Sequence, residues 1–98
     1  MKVAKCLKYS APWCGPCKQL KPVFNKVSKM EEFKDIQFIE LDVDSDDDDV
    51  LDSVDKHEIR SVPTIVLVDE NNEAIKKVVG SLSESTLIEF IKTEMTNV

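Results

Sequence analysis

Cys14 and Cys17 stand three residues apart in the stretch Trp13-Cys14-Gly15-Pro16-Cys17-Lys18. Two thiols at that spacing can close a tight disulfide and open it again, a two-electron switch. The thiolate is the reactive form, so whatever stabilises it activates the site. Pro12 and the Gly15-Pro16 pair interrupt the apolar residues before them, and Leu20, Val23, Phe24 and Val27 follow at helical spacing. Cys14 is therefore expected at a helix N-terminus, where unpaired N–H groups and the dipole favour an anion. Cys17, one turn on, lies close enough to attack a mixed disulfide formed at Cys14. Gly15 allows close backbone approach, and Pro16 suits a first helical turn, where no N–H is needed. The same spacing is also half of a zinc site. A structural zinc takes about four ligands, and the remaining soft candidates are only Cys6 and His57. No metal is expected.

The elements that must position this pair follow from periodicity. Lys2 to Tyr9 reads as a strand, followed by a helix from about Cys14 to Met30 with Pro22 inside it, where a kink is expected. Ile36 to Val43 reads as a second strand, apolar on both faces as parallel strands often are. The acidic run Asp44 to Asp49 precedes Val50, Leu51 and Val54 and reads as a helix start whose carboxylates suit the N-terminal dipole. Ser61-Val62-Pro63-Thr64 is a break. Ile65 to Val68 and Ala74 to Val79 form a hairpin across Asp69-Glu70-Asn71-Asn72, and Gly80 ends it. Ser83 or Ser81 caps a last helix carrying Leu87, Ile88, Phe90, Ile91 and Met95. The order is βαβαββα, with the first two strands parallel.

A chain of 98 residues suggests one domain, 1–98, which buries roughly 60–65% of its unfolded surface. The net charge of −6 disfavours binding to nucleic acid or an anionic membrane. No apolar run approaches the ~20 residues of a spanning helix. Lysines interrupt the stretch Met1 to Cys6, so no signal-peptide region is read there, and the expected location is the reducing cytoplasm. Three cysteines, an odd count, argue against a structural disulfide framework.

Ala11-Pro12-Trp13-Cys14-Gly15-Pro16-Cys17-Lys18, Pro22, Ser61-Val62-Pro63-Thr64 and Gly80 together resemble the thioredoxin family over nearly the whole chain. The resemblance implies a thioredoxin fold in a minimal form, with three helices flanking a four-stranded mixed sheet of order 2-1-3-4. It implies a thiol–disulfide oxidoreductase, a monomer that reduces disulfide-containing protein substrates. Cys14 would be the nucleophile and Cys17 the resolving thiol. No cofactor would be bound, the electrons coming from a reductase such as thioredoxin reductase. The Val62-Pro63 bond would be cis and lie beside Cys14, although an ordinary strand-opening proline is the plainer alternative. Trp13, Gly15, Pro16, Val62, Pro63, Val79 and Gly80 would then line a shallow groove for an extended substrate peptide.

Two departures from the family stand out. Only thirteen residues precede Cys14, so the family's opening strand and helix are expected to be missing and the second strand left as an edge. The family also carries a buried Asp six residues before its first active cysteine and a Lys on the neighbouring strand. Lys8 and Glu40 occupy those positions, as if the charges were exchanged. Each substitution alone would leave a buried charge unpaired, whereas both together keep a possible ion pair, which argues for compensation; two surface-exposed residues are the alternative. The family's Asp is thought to exchange the proton of the resolving cysteine. That role would pass to Glu40 or to a desolvated Lys8, and a cation near the thiols would favour thiolates and a less reducing couple.

The remaining candidates read more simply. Cys6 is a buried small hydrophobe. His57 is a surface residue or a partner of a helix C-terminus. Asp44, Asp46 and Asp48 echo a calcium loop, but Asp49 stands where its turn glycine belongs. Lys18 and Lys21 ring the active site. Two rival functions remain. One is a glutaredoxin-like, glutathione-dependent reductant, which the short N-terminus suits but Trp13 and Gly15-Pro16 do not. The other is a non-catalytic interaction subunit using the same groove.

Overall fold

The computed structural model describes residues 2–95. The expected span of 1–98 includes Met1 and residues 96–98, which lie outside the described residues. The chain runs β1 (Lys5–Ser10), α1 (Gly15–Ser28), a 3-10 turn (Glu31–Phe33), β2 (Gln37–Asp42), α2 (Asp48–Lys56), β3 (Thr64–Val68), β4 (Ala74–Val79) and α3 (Glu84–Met95). The sheet order is β2-β1-β3-β4. β1 pairs parallel with β2 and antiparallel with β3, and β3 pairs antiparallel with β4. This is the expected four-stranded mixed sheet with three helices. Among the described residues no helix is long and apolar enough to cross a membrane.

Alternation along the central strands divides the core into two layers. Cys6, Ile65 and Leu67 face α1 and α3 and pack with Leu20, Phe24, Val27, Leu87 and Ile91. Leu7, Tyr9, Val66 and Val68 face the other way, toward Val54 of α2. α2 itself buries no residue completely. It is tied down instead by a hydrogen bond between the Tyr9 and Ser53 hydroxyls and by Lys77 Nζ, which donates to the His57 carbonyl at 3.0 Å.

Several boundaries move for physical reasons. β1 starts later than expected and extends to Ser10, whose carbonyl accepts from Val43 N at 2.9 Å. α1 ends at Ser28 because a separate 3-10 turn brings Phe33 into the core. β2 is only half-buried rather than buried on both faces, since no described strand covers its outer edge. Asp47 caps α2, its carboxylate accepting from Asp49 N at 2.8 Å. Ser83, not Ser81, caps α3, with Thr86 N donating to its hydroxyl at 3.2 Å. His57 does end α2, but it is buried, and burial holds its imidazole below the usual histidine range.

Leu20 is fully buried on the inner face of α1, whereas Leu51 of α2 is 43% exposed. Leu20→Ala is expected to cost about 2–5 kcal/mol. Leu51→Ala should stay within roughly 1 kcal/mol. Urea unfolding of the two variants measures the contrast.

Candidate functional site

Ser10 closes β1, and a turn with Cys14 N donating to Ala11 O at 3.2 Å carries the chain into α1. Cys14 is the helix N-cap, in extended conformation. Cys17 N donates to Cys14 Sγ at 3.2 Å, and Lys18 N donates to Cys14 O at 3.3 Å. The sulfur thus takes the place of a capping oxygen, facing a free N–H of the helix's first turn. Cys14 and Cys17 are joined as a disulfide with their Cα atoms 5.2 Å apart, so the structure shows the oxidised form. Both are almost wholly buried.

The opposite wall comes from the segment before β3. The Val62-Pro63 bond is cis, as expected. Val62 O lies 3.7 Å from Cys14 Sγ. Gly80 N donates to Pro63 O at 2.8 Å, and Gly80 has a φ of 106°, a conformation that favours glycine. Trp13 is 70% exposed, with its indole N–H donating to Asp44 Oδ2 at 2.7 Å.

Two clefts flank the disulfide. One, of about 420 Å³, is lined by Trp13, Val43, Val54, Ile59, Arg60 and Val62. Trp13 and Val62 were expected in a groove and do meet there. Val79 is exposed but lines a separate hollow of about 170 Å³ with Arg60 and Lys77. Gly15, Pro16 and Gly80 line neither. A Cβ added at Gly15 would meet nothing within 4 Å, so any close approach there involves a second molecule. The sequence reading missed Val43, Ile59, Arg60 and Asp44 as site residues. Asp44 was absorbed into the acidic run; the one signal for it was an exposed tryptophan whose N–H needs an acceptor.

The second cleft, of about 430 Å³, is lined by Pro12, Cys17, Lys21, Glu40, Asp42 and Ser10. Behind it stands Lys8, fully buried, with Nζ 2.7 Å from Glu40 Oε2. Two surface residues are therefore ruled out. The contact is an ion pair, and among the described residues Lys8 Nζ has no other acceptor. It also lies 5.2 Å from the centroid of the Phe24 ring. The Glu40 side chain is 43% exposed and accepts from Ser10 Oγ at 3.2 Å. The Lys8 ammonium holds the Glu40 carboxyl below the usual carboxylate range, with smaller help from Ser10 and Lys21.

A profile of the Thioredoxin family matches residues 2–93. The chain belongs to the thioredoxin family. It is 41% identical over 87 residues to a thioredoxin of Ophiophagus hannah, a match covering 89% of this chain and 75% of that one. It is 38% identical over 72 residues to an Aspergillus fumigatus thioredoxin, covering 74% of this chain and 61% of that one. The chain thus spans less than two thirds of the Aspergillus relative. The crystal structure of a Malassezia sympodialis thioredoxin superposes with a TM-score of 0.77 at 32% identity, covering 91% of this chain and 72% of that one. The superposition covers the four strands and three helices described here as part of a longer chain.

Within the thioredoxin frame the exchanged pair has a consequence for stability. Glu40 has a folded pKa below its unfolded value of 4.5, so its contribution is complete above that value and is lost as pH falls through the folded value. The stability loss between neutral pH and about pH 3 should therefore be smaller in Glu40→Gln than in the parent protein. Urea unfolding across that range checks it; parallel acid limbs would contradict it.

Proposed function

We propose that this chain is a thiol–disulfide oxidoreductase that reduces disulfides in protein substrates through Cys14 and Cys17. The observation that carries the reading is the Cys17 N–H directed onto Cys14 Sγ at the helix start. A charge-assisted hydrogen bond of this kind stabilises a thiolate, which makes Cys14 the nucleophile. Family membership points the same way.

In the reduced protein, the Cys14 thiolate attacks one sulfur of the substrate disulfide. A bond forms between them, the substrate S–S bond breaks, and the first substrate thiolate leaves and is protonated. Cys17 then loses its proton and attacks Cys14 Sγ. The mixed disulfide breaks, the second substrate thiolate leaves, and the Cys14–Cys17 disulfide remains. The substrate has gained two electrons and two protons. A reductase, in this reading thioredoxin reductase, returns the protein to the dithiol.

In this reading Trp13 and Val62 offer the groove wall nearest Cys14 to an extended substrate strand, with Pro63 behind Val62. Among the described residues no group of three or more His, Cys, Asp or Glu could hold a metal ion. The reading needs no bound cofactor. Burial pushes the Cys6 thiol up to about 12, which leaves it inert toward the chemistry of the pair. The proposal includes a monomer working in the reducing cytoplasm.

Reduction of insulin disulfides by NADPH and thioredoxin reductase tests this. The parent chain should turn over, Cys14→Ser should fall to background, and Cys17→Ser should accumulate a mixed disulfide visible by mass spectrometry. Turnover with glutathione alone would favour the glutaredoxin-like reading, and no turnover with either donor would refute both.

A further inference from the structure

Three observations meet at the cleft on the Cys17 side. A lysine is completely buried, with Glu40 as its anionic partner and no hydrogen-bond acceptor besides. That glutamate is half exposed and lines the same cleft as Cys17. The cleft is roomy enough to hold several waters. We propose that Lys8 and Glu40 are positioning residues that set the charge around Cys17, while the proton of Cys17 leaves directly to water in the cleft during resolution. The proposal rests on the oxidoreductase reading and names the control of its second step.

The two charges of the pair play unlike parts. Glu40 stands at the solvent side, so a carboxylate and Cys17 face one volume of water. A negative charge there disfavours the Cys17 thiolate. Lys8 lies behind, in the layer of Phe24, where its charge is little screened. A fixed positive charge there favours the thiolate. Glu40 is a poor proton acceptor because the ammonium beside it keeps it ionised well below neutral pH. Lys8 is sealed from solvent and already committed to Glu40. Neither is suited to carry the proton, whereas water in the open cleft is. The other charges facing this volume are Lys18 and Lys21 of α1 and Asp42 of β2. They stay in place when the pair is altered.

In the step itself, the Cys17 thiol gives its proton to cleft water. The resulting thiolate forms the Cys14–Cys17 bond, and the bond from Cys14 to the substrate sulfur breaks. The substrate sulfur leaves with the electron pair. Nothing else is oxidised or reduced.

The test is a direct titration of Cys17 in the reduced protein, followed by NMR of Cβ-labelled cysteine, in the parent chain, Lys8→Met, Glu40→Gln and the double variant. Lys8→Met removes the buried cation and leaves the carboxylate, so the Cys17 midpoint should rise by roughly 0.5–1 pH unit. Glu40→Gln removes the anion and should lower it by a similar amount. The double variant should return near the parent value. A purely structural pair would give no shift, or shifts of one sign in both single variants, and either result overturns the proposal. Lys8→Met loses no packing partner to an unpaired charge in the core, so it remains folded enough to read even if Glu40→Gln does not. The titration needs no turnover, so it separates this proposal from the oxidoreductase reading, which the insulin assay decides.

Discussion

Backbone pairing on both edges of β1 is the constraint from which the site is built. Its ladder to β2 sets Lys8 opposite Glu40, and its ladder to β3 sets Tyr9 opposite Thr64. Because Thr64 is fixed there, Val62 and Pro63 arrive beside the turn that follows Ser10. That turn delivers Cys14 to the end of α1, within 3.7 Å of the Val62 carbonyl. The two halves of the site are far apart in sequence, and while α1 holds Cys14 and Cys17, the Val62-Pro63 half is held only by the start of β3. A strand with both edges paired leaves few ways to shift, since a slip of one residue would turn Lys8 and Tyr9 to the wrong layers. The side-chain bond from Tyr9 to Ser53 extends the same constraint to α2.

Burial of Lys8 is hard to explain by stability. Removing an ammonium from water costs several kcal/mol, and a single ion pair with a half-exposed carboxylate offsets this only in part. The Phe24 ring adds a modest cation–π term. A methionine of similar volume in that layer, next to Leu20 and Phe24, would be neutral or stabilising by the same reasoning. The position carries a charge that the core does not require. Its place behind the cleft that reaches Cys17 gives that charge something to act on.

Local signals in the sequence were enough for the elements and for the chemical pair. Periodicity marked α1, and the turn residues at Asp69 to Asn72 marked the hairpin. The spacing of Cys14 and Cys17 after a Pro-Trp break marked the reactive end of the helix. The family resemblance added the cis bond at Pro63 and the exchanged charges at Lys8 and Glu40. The unequal burial of that pair was not legible: β2 was expected at the sheet edge but read as apolar on both faces, and only the packed sheet shows Glu40 half exposed while Lys8 of β1 is covered. The bond from Trp13 to Asp44 was missed for a different reason. It joins residues 31 apart, and an acidic run already had a local explanation as the start of α2. Val43, Ile59 and Arg60 entered the site only once α2 and the loop after it had been packed against β1 and β3.

The disulfide stands between two unlike volumes, and this separates two tasks that one sulfur could not perform alone. On the Cys14 side the walls are mostly apolar, with Trp13 exposed and Val62, Val43 and Ile59 around it. Such a surface gains from covering by a substrate chain and sheds its water when covered. On the Cys17 side the cleft carries Lys18, Lys21, Glu40, Asp42 and Ser10, a lining that favours water. A nucleophile attacking a buried disulfide benefits from a dry approach, whereas a thiol that must lose a proton needs water nearby. Cys14 caps the helix next to Val62, which lines the apolar cleft, and Cys17, one turn inside, lines the charged one. The helix that caps on the first cysteine therefore also carries the second to a charged, open wall, which on the proposed mechanism is where its proton leaves once substrate covers the other side.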